Sequence, residues 1–475
     1  MNRHPIILAS TLGALLASPV AARAQSKAEF EALKKKVEAL EQRLGETESR
    51  TESSALSKIK ISDSLTELKL HGDLRLRYQY DNTDTQLVPA GMGNDVDRSP
   101  NSSQRSRYRF RLRLNADFKL GKNFFGGVQL VAGQENDSDN QTYENGFNDY
   151  SIFISRAYLG WNAADWLTVV AGKQPNPFYV TELTWDSDIN PTGLSESIKI
   201  HELFAHNSVE AGFAKDGKTI VKKSESPWEL TLNLGQFLFD DNLESNSDRD
   251  SADDAFLFVG QLVGSWKFSK DVKLTFAPGY MFFNAADVSG VLNSNAFTDV
   301  SDVSGETRKL SFVTAPGDLS FKLGKLPAKF YWDFSYNTDG QGRVDDIYGL
   351  VTTKADGTTR SEHEAVDDFA YLVGLQIGQN KKGGDWSLIA NWRQTGIAAV
   401  DPNLNDSDFA LSELNTRGFK VMAAYSFTDF FTGGLSYAHA WNLRDNLIGG
   451  QATGGAALAN GNVIDVFQVD FNLKF

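Results

Sequence analysis

Residues 105–120 read RSRYRFRLRLNADFKL. Arg105, Arg107, Arg109, Arg111 and Arg113 take alternate positions, while Tyr108, Phe110, Leu112, Leu114, Ala116, Phe118 and Leu120 fill those between and beyond them. A period of two is that of a β-strand, whose successive side chains point to opposite faces. One face is therefore apolar along its length, and the other bears guanidiniums about 7 Å apart. In a soluble sandwich the apolar face would be the inside. In a membrane barrel it is the outside, and the arginines line a wet lumen.

Composition narrows the choice. Forty glycines and 32 phenylalanines against four methionines favour β structure with aromatic girdles. There is no cysteine, which excludes disulfide staples and thiol chemistry. Beyond the N-terminus no run of about 18 apolar residues occurs, which excludes a helical membrane protein. The formal charge of −14 becomes −16 once a leader containing Arg3 and Arg23 is removed, and such a chain repels nucleic acid at long range. Acids gather in the predicted loops, as in Asp240-Asp241 and Asp248 to Asp254, and arginines gather in the strands.

Residues 1–24 read as a secretory signal. Arg3 and His4 form the polar start, Ile6 to Val20 the apolar core, and Ala22-Arg23-Ala24 an A-x-A cleavage site. Residues 25–58 then carry the chain's helical pattern, with Phe30, Leu33, Val37, Leu40 and Leu44 forming an a/d seam that decays to Thr47, Thr51 and Ser54. So short a coiled coil is marginal alone in water. It is expected to self-associate, with a solvated amphipathic helix or a frayed linker as the alternative.

From residue 59 to 475 the strand pattern persists. Strands are expected near 67–80, 105–120, 124–134, 150–162, 166–174, 198–213, 228–239, 255–268, 272–283, 307–322, 328–338, 367–379, 385–395, 417–427, 430–442 and 462–475. Long polar loops alternate with short turns, the rhythm of an outer-membrane barrel with short periplasmic turns. The fold expected is all-β, an antiparallel up-and-down transmembrane barrel of about 16 strands behind a short coiled-coil helix. In the last strand Val463, Phe467, Val469, Phe471, Leu473 and Phe475 share one face, and Gln468, Asp470, Asn472 and Lys474 the other. Asp465 breaks the apolar face, near the outer rim where a charge costs less than at the midplane.

The register and the terminal phenylalanine resemble the strand that the outer-membrane barrel assembly machinery recognises, which makes Phe467, Val469, Phe471, Leu473 and Phe475 the expected assembly signal. With the leader, the coiled coil and the strand count, the chain resembles Gram-negative outer-membrane porins of the putative-porin type. Gly172-Lys173-Gln174-Pro175-Asn176-Pro177-Phe178 followed by Trp185-Asp186-Ser187-Asp188 is similar to the passage such proteins carry after strand five. The resemblance implies an outer-membrane location, passive diffusion of small hydrophilic solutes or ions, and a fifth loop that narrows the pore. That loop is expected at 175–197, with Glu182, Asp186, Asp188 and Glu196 facing Arg75 and Arg77 of strand one and the arginine row of strand two. Expected partners are outer-membrane lipid and lipopolysaccharide, the assembly machinery, two further copies in a homotrimer, and peptidoglycan through the coiled coil. No cofactor or metal is implied.

Two other readings of the arginine row and the loops stay open. Guanidinium forks match phosphate and carboxylate, so the row could be a ladder in an anion-preferring channel. The barrel could also serve mainly as an envelope tether or adhesin, with acidic loops holding Ca²⁺ or bridging lipopolysaccharide, although no EF-hand spacing occurs. Catalysis is not expected, since there is no H-E-x-x-H, G-x-S-x-G, Walker or dinucleotide motif.

Overall fold

A computed structural model describes residues 64–86, 100–133, 138–143, 145–147, 149–204, 209–213, 219–223, 226–240, 254–284, 309–349, 363–444 and 463–475. All belong to the unit Ser64–Phe475. The expected signal at 1–24, the coiled coil at 25–58, and loop residues 241 and 248–253 lie outside the described residues.

Sixteen antiparallel strands form one closed barrel. They are β1 (Leu65–Gln86), β2 (Pro100–Leu120), β3 (Phe124–Ala132), β4 (Phe153–Ala164), β5 (Leu167–Lys173), β6 (Thr192–Lys199), β7 (Trp228–Asp240) and β8 (Ala255–Ser269). The second half comprises β9 (Val272–Phe276 and Gly279–Phe283), β10 (Ser311–Thr314 and Gly317–Leu323), β11 (Leu326–Asn337), β12 (Phe369–Gly378), β13 (Trp386–Thr395), β14 (Thr416–Ser426), β15 (Phe431–Asn442) and β16 (Val463–Lys474). Each strand pairs with the next, and β1 closes on β16 in a register running from Asp73 opposite Lys474 to Asp84 opposite Val463. Closure leaves no sheet edge, so ladder N–H and C=O groups find partners without water.

β9 and β10 are each broken once, at Ala277-Pro278 and Ala315-Pro316, at one level of the wall. Proline has no N–H to give to a ladder. The carbonyls still serve: Leu262 N donates to Pro278 O at 2.9 Å and Ala277 N to Pro316 O at 2.8 Å.

The outward face is apolar and aromatic, as the alternation requires. Leu70, Tyr108, Trp161, Trp266, Phe330, Leu388 and Phe471 all stand exposed there. Asp465 does lie on this face, and it is not left bare. Tyr437 Oη donates to it at 2.6 Å, His439 Nδ1 lies 2.8 Å away, and Asn82 Nδ2 donates at 3.4 Å. The terminal Phe475 exchanges both backbone hydrogen bonds with Gly72, at 2.8 and 3.1 Å.

Two expectations need correction. The sixth strand is Thr192–Lys199, not 198–213: the helix α1 (Ile200–Phe204) follows it, and Val209–Phe213 pairs with Thr219–Lys223 in a separate hairpin. β6 reads TGLSESIK, in which only Leu194 and Ile198 mark an apolar face. The inner wall is also not uniformly polar: Phe237, Leu257, Val259, Met281 and Phe312 face inward and are buried.

Gly172 of β5 stands directly opposite Gly193 of β6, with φ of 111° and 152°, where side-chain-bearing residues are strained. A Cβ on Gly193 would lie 2.1 Å from Gln236 O, and one on Gly172 2.4 Å from Ala157 O. Gly193→Val should therefore destabilise the barrel by at least about 1–3 kcal/mol. Gly121→Asn, at φ 57° with no atom within 4 Å of its Cβ site, should cost far less. Urea midpoints of the two variants refolded in detergent, followed by tryptophan fluorescence, check this; equal midpoints would refute it.

Candidate functional site

The glycine pair marks where the chain leaves the wall, and residues 174–191 cross the inside of the barrel. Gln174 N donates to Pro191 O at 2.9 Å and closes the base of this loop. Along its course the loop is held by four strands. Tyr179 N donates to Gln261 Oε1 of β8 at 2.8 Å, and Tyr179 Oη to Asp318 Oδ1 of β10 at 2.5 Å. Thr181 Oγ1 donates to Asp333 Oδ2 of β11 at 2.7 Å, and Asn391 Nδ2 of β13 donates to Glu182 Oε1 at 2.9 Å. Phe178 and Trp185 pack on the apolar patch of β7 to β10, which explains the greasy inner wall there.

A second loop, residues 396–415, also turns inward, and the sequence reading left it outside. Asn337 Nδ2 donates to Ala398 O and Ser335 Oγ to Ala399 O, both at 2.8 Å. The two loops meet backbone to backbone, Asp186 N donating to Leu404 O at 2.6 Å and Asp406 N to Glu182 O at 3.2 Å. The missed signal is Ile397-Ala398-Ala399-Val400, an apolar run that a loop in water would not need. All four residues are buried.

The arginine row faces these loops across the lumen. Arg77 grips Asp470 with two parallel bonds of 2.7 and 2.8 Å and reaches Asp408 of the second loop at 2.8 Å. Such bidentate charged pairs are among the stronger side-chain contacts. Removing one partner of a buried pair costs about 3–5 kcal/mol. Arg107 pairs with Asp81 at 2.5 Å. Arg111 and Arg113 share Asp73, at 2.9 and 2.8 Å, and reach Asp188 at 3.4 and 3.9 Å. Arg113 also meets Asp139 at 3.4 Å. Arg109 donates to Gln79 and Ser138, each at 3.2 Å, Arg75 donates to Asn140, and Arg105 stands exposed near the strand's outer end.

Of the four acids expected to oppose the row, Asp188 alone touches it. Glu182 instead faces the β13 side, where Arg393 Nη1 donates to its carbonyl at 3.2 Å. Glu196 is a correction: it belongs to β6, on the outward face between Leu194 and Ile198, where Gln236 Nε2 donates to it at 3.3 Å. The other carboxylates against the arginines are Asp73, Asp81 and Asp470 from neighbouring strands and Asp139 and Asp408 from other loops. Arg156 and Lys173, also unforeseen, hold the loop's far end: Arg156 Nε donates to Asn190 Oδ1 at 2.7 Å and Lys173 Nζ to Asn190 O at 3.0 Å.

Asp186 is the electrostatically costly member of the loop. Burial, and then the neighbouring Asp406 and Asp188 carboxylates, push its pKa up to about 9, so it holds a proton at neutral pH. Asp139 is raised to about 6 by burial and Asp188. Burial alone would raise Asp408 too, but Arg77, Lys420 and Arg75 outweigh it and hold that carboxyl far below the usual range.

At the short-turn end the row opens on a vestibule of about 470 Å³ lined by Arg111, Arg113, Arg156, Asp73, Asn472 and Lys474. Deeper, a mixed cavity of about 220 Å³ lies among Asp188, Asn190, Lys173, Trp185, Phe237 and Leu404. No group of acids and histidines suited to a metal ion occurs among the described residues.

A family model described as "Putative porin" matches residues 33–317. Among solved structures, OmpF of Salmonella typhi in complex with daunomycin aligns over 88% of this chain and 100% of its own, with a TM-score of 0.44 and 11% identity. A substituted porin of Rhodopseudomonas blastica aligns over 86% of this chain and 100% of its own, with a TM-score of 0.39 and 10% identity. A triple mutant of the same porin gives the same coverage, a TM-score of 0.38 and 9% identity. No curated protein matches the chain.

The raised pKa of Asp186 has a defined effect on stability. Between the ordinary carboxylate value of 3.8 and about 9 the folded protein holds a proton that the unfolded chain has lost, so stability falls as pH rises through that window. Asp186→Asn should remove this part of the pH dependence. Urea midpoints at pH 5 and pH 8 should diverge more for the native protein than for the variant, and identical slopes would refute the assignment.

Proposed function

Because this chain belongs to the porin family whose model spans residues 33–317, we propose that it is an outer-membrane porin through which small hydrophilic solutes and ions diffuse passively. The eyelet of that pore lies between the loop at 174–191, joined by the loop at 396–415, and the arginines of β1 and β2. One observation carries this reading: Asp188 on the crossing loop lies 3.4 Å from Arg111 of the wall. A loop on the outer rim could not make that contact. The fields of these guanidinium–carboxylate contacts at the edge of the pore orient water and penalise apolar solutes.

Arg77, Arg107, Arg111 and Arg113 already meet carboxylates, which favours a weakly selective channel over a strong anion ladder. The leader at 1–24, trimerisation through 25–58, tethering to peptidoglycan, contact with lipopolysaccharide, and delivery of the terminal Phe475 strand to the assembly machinery complete the proposal. Its short-turn end faces the periplasm.

Planar-bilayer recording tests the reading. The native protein should show stepwise conductance, and Arg107, Arg109 and Arg111 changed together to Gln should shift reversal potentials towards cations, by up to about tenfold in permeability ratio. A correctly inserted protein without conductance would sink the porin reading. An unchanged ratio would remove these arginines from the permeation path.

A further inference from the structure

Opposite the arginine vestibule, the short-turn end holds a hollow of about 630 Å³ walled by β8 to β12 and lined by Lys267, Lys270, Lys273, Lys322, Lys329 and Lys381. Three of these lie on one row across the sheet. Lys267 is directly opposite Lys273, Lys273 is opposite Ser320, and Ser320 is opposite Lys329. All face inward, since their neighbours Trp266, Leu274 and Phe330 share the row that points out. Like charges directly opposite on paired strands repel.

The acids at hand relieve only Lys267 and Lys322. Glu229 meets Lys267 at 3.6 Å and Asp271 meets Lys322 at 2.5 Å. Among the described residues, Lys270, Lys273, Lys329 and Lys381 have no carboxylate within 4 Å. Lys329 instead rests over the Tyr331 ring, its Nζ 5.1 Å from the centroid. Across the lumen Arg77, Arg107, Arg111 and Arg113 each meet a carboxylate, whereas these four lysines do not.

We propose that this hollow is a binding site for multivalent phosphate anions, in which Lys270, Lys273, Lys329 and Lys381 supply the charge. Lysine binds phosphate as a point charge and needs no planar fork. The row from Lys267 to Lys329 crosses three inter-strand gaps, about 14 Å. One orthophosphate cannot span it, whereas linked phosphates can. The ammoniums of Lys273 and Lys329 face the lumen and not the lipid, so the anion is a soluble one. Each exposed pair is weak alone, and several made by one ligand multiply.

This inference rests on the porin reading for its sidedness only, and the experiment separates the two. Calorimetry on the full chain in zwitterionic detergent, at matched ionic strength, should give tripolyphosphate at least about tenfold tighter than orthophosphate. Changing Lys270, Lys273, Lys329 and Lys381 together to Gln should abolish the preference, while Lys122→Gln with Lys199→Gln, at the same end outside the hollow, should keep it. Removing mutually repelling charges is not expected to impair folding, and heat-modified gel mobility checks that. In bilayers, tripolyphosphate on the short-turn side should block current at about tenfold lower concentration than on the other. A preference unchanged in the fourfold variant, or equal affinity for the two phosphates, would overturn the site. A preserved preference without any conductance would overturn the porin and leave the site standing.

Discussion

In hydrocarbon no ladder N–H or C=O can turn to water, and the structure depends on how that demand is met. The pairing of β1 with β16, Asp73 to Asp84 against Lys474 to Val463, removes the last open edge. Once the wall is closed, the alternation of each strand decides everything about its two sides. Leucines and aromatics go to lipid, and their neighbours in sequence are committed to the lumen whether or not water suits them. The arginines of β2 are inside because Tyr108, Leu112 and Leu114 must be outside.

The second demand follows from the first. Guanidiniums brought side by side within a lumen need partners, and the chain supplies them from several places: Asp73 and Asp81 from β1, Asp470 from β16, Asp139 from the loop after β3, Asp188 from the crossing loop and Asp408 from the loop after β13. The apolar patch of β7 to β10 poses the opposite problem and receives Phe178, Trp185 and Leu404 from the same two loops. Each loop thus has a charged contact on one wall and a greasy contact on the other, which fixes its path across the barrel.

Period-two patterning made most of this wall legible in the sequence. Strong alternation, as in RSRYRFRLRL and in VFQVDFNLKF, carries its own register. β6 was displaced because Gly193, Ser195 and Ser197 on its inner face and Glu196 on its outer face dilute the apolar signal, and that displacement carried Glu196 into the wrong loop. The crossing loop was legible in outline, yet its chemistry was not. Which carboxylate meets which arginine is a property of three-dimensional closure, and Asp408, 331 residues from Arg77, has no local mark that joins them. The lysines beside the short turns carry no distinguishing mark in the sequence, and only the register sets Lys267 against Lys273.

Arg77 has a further bearing, on the order of events. Its partners Asp408 and Asp470 lie 331 and 393 positions away, close to the chain's end. The Asp470 contact requires the last strand to be in place, and closing so long a loop is entropically opposed and slow. The Arg77–Asp470 pair is therefore the clasp that waits for the last strand, whereas Arg111 and Arg113 already meet Asp73 across the first hairpin.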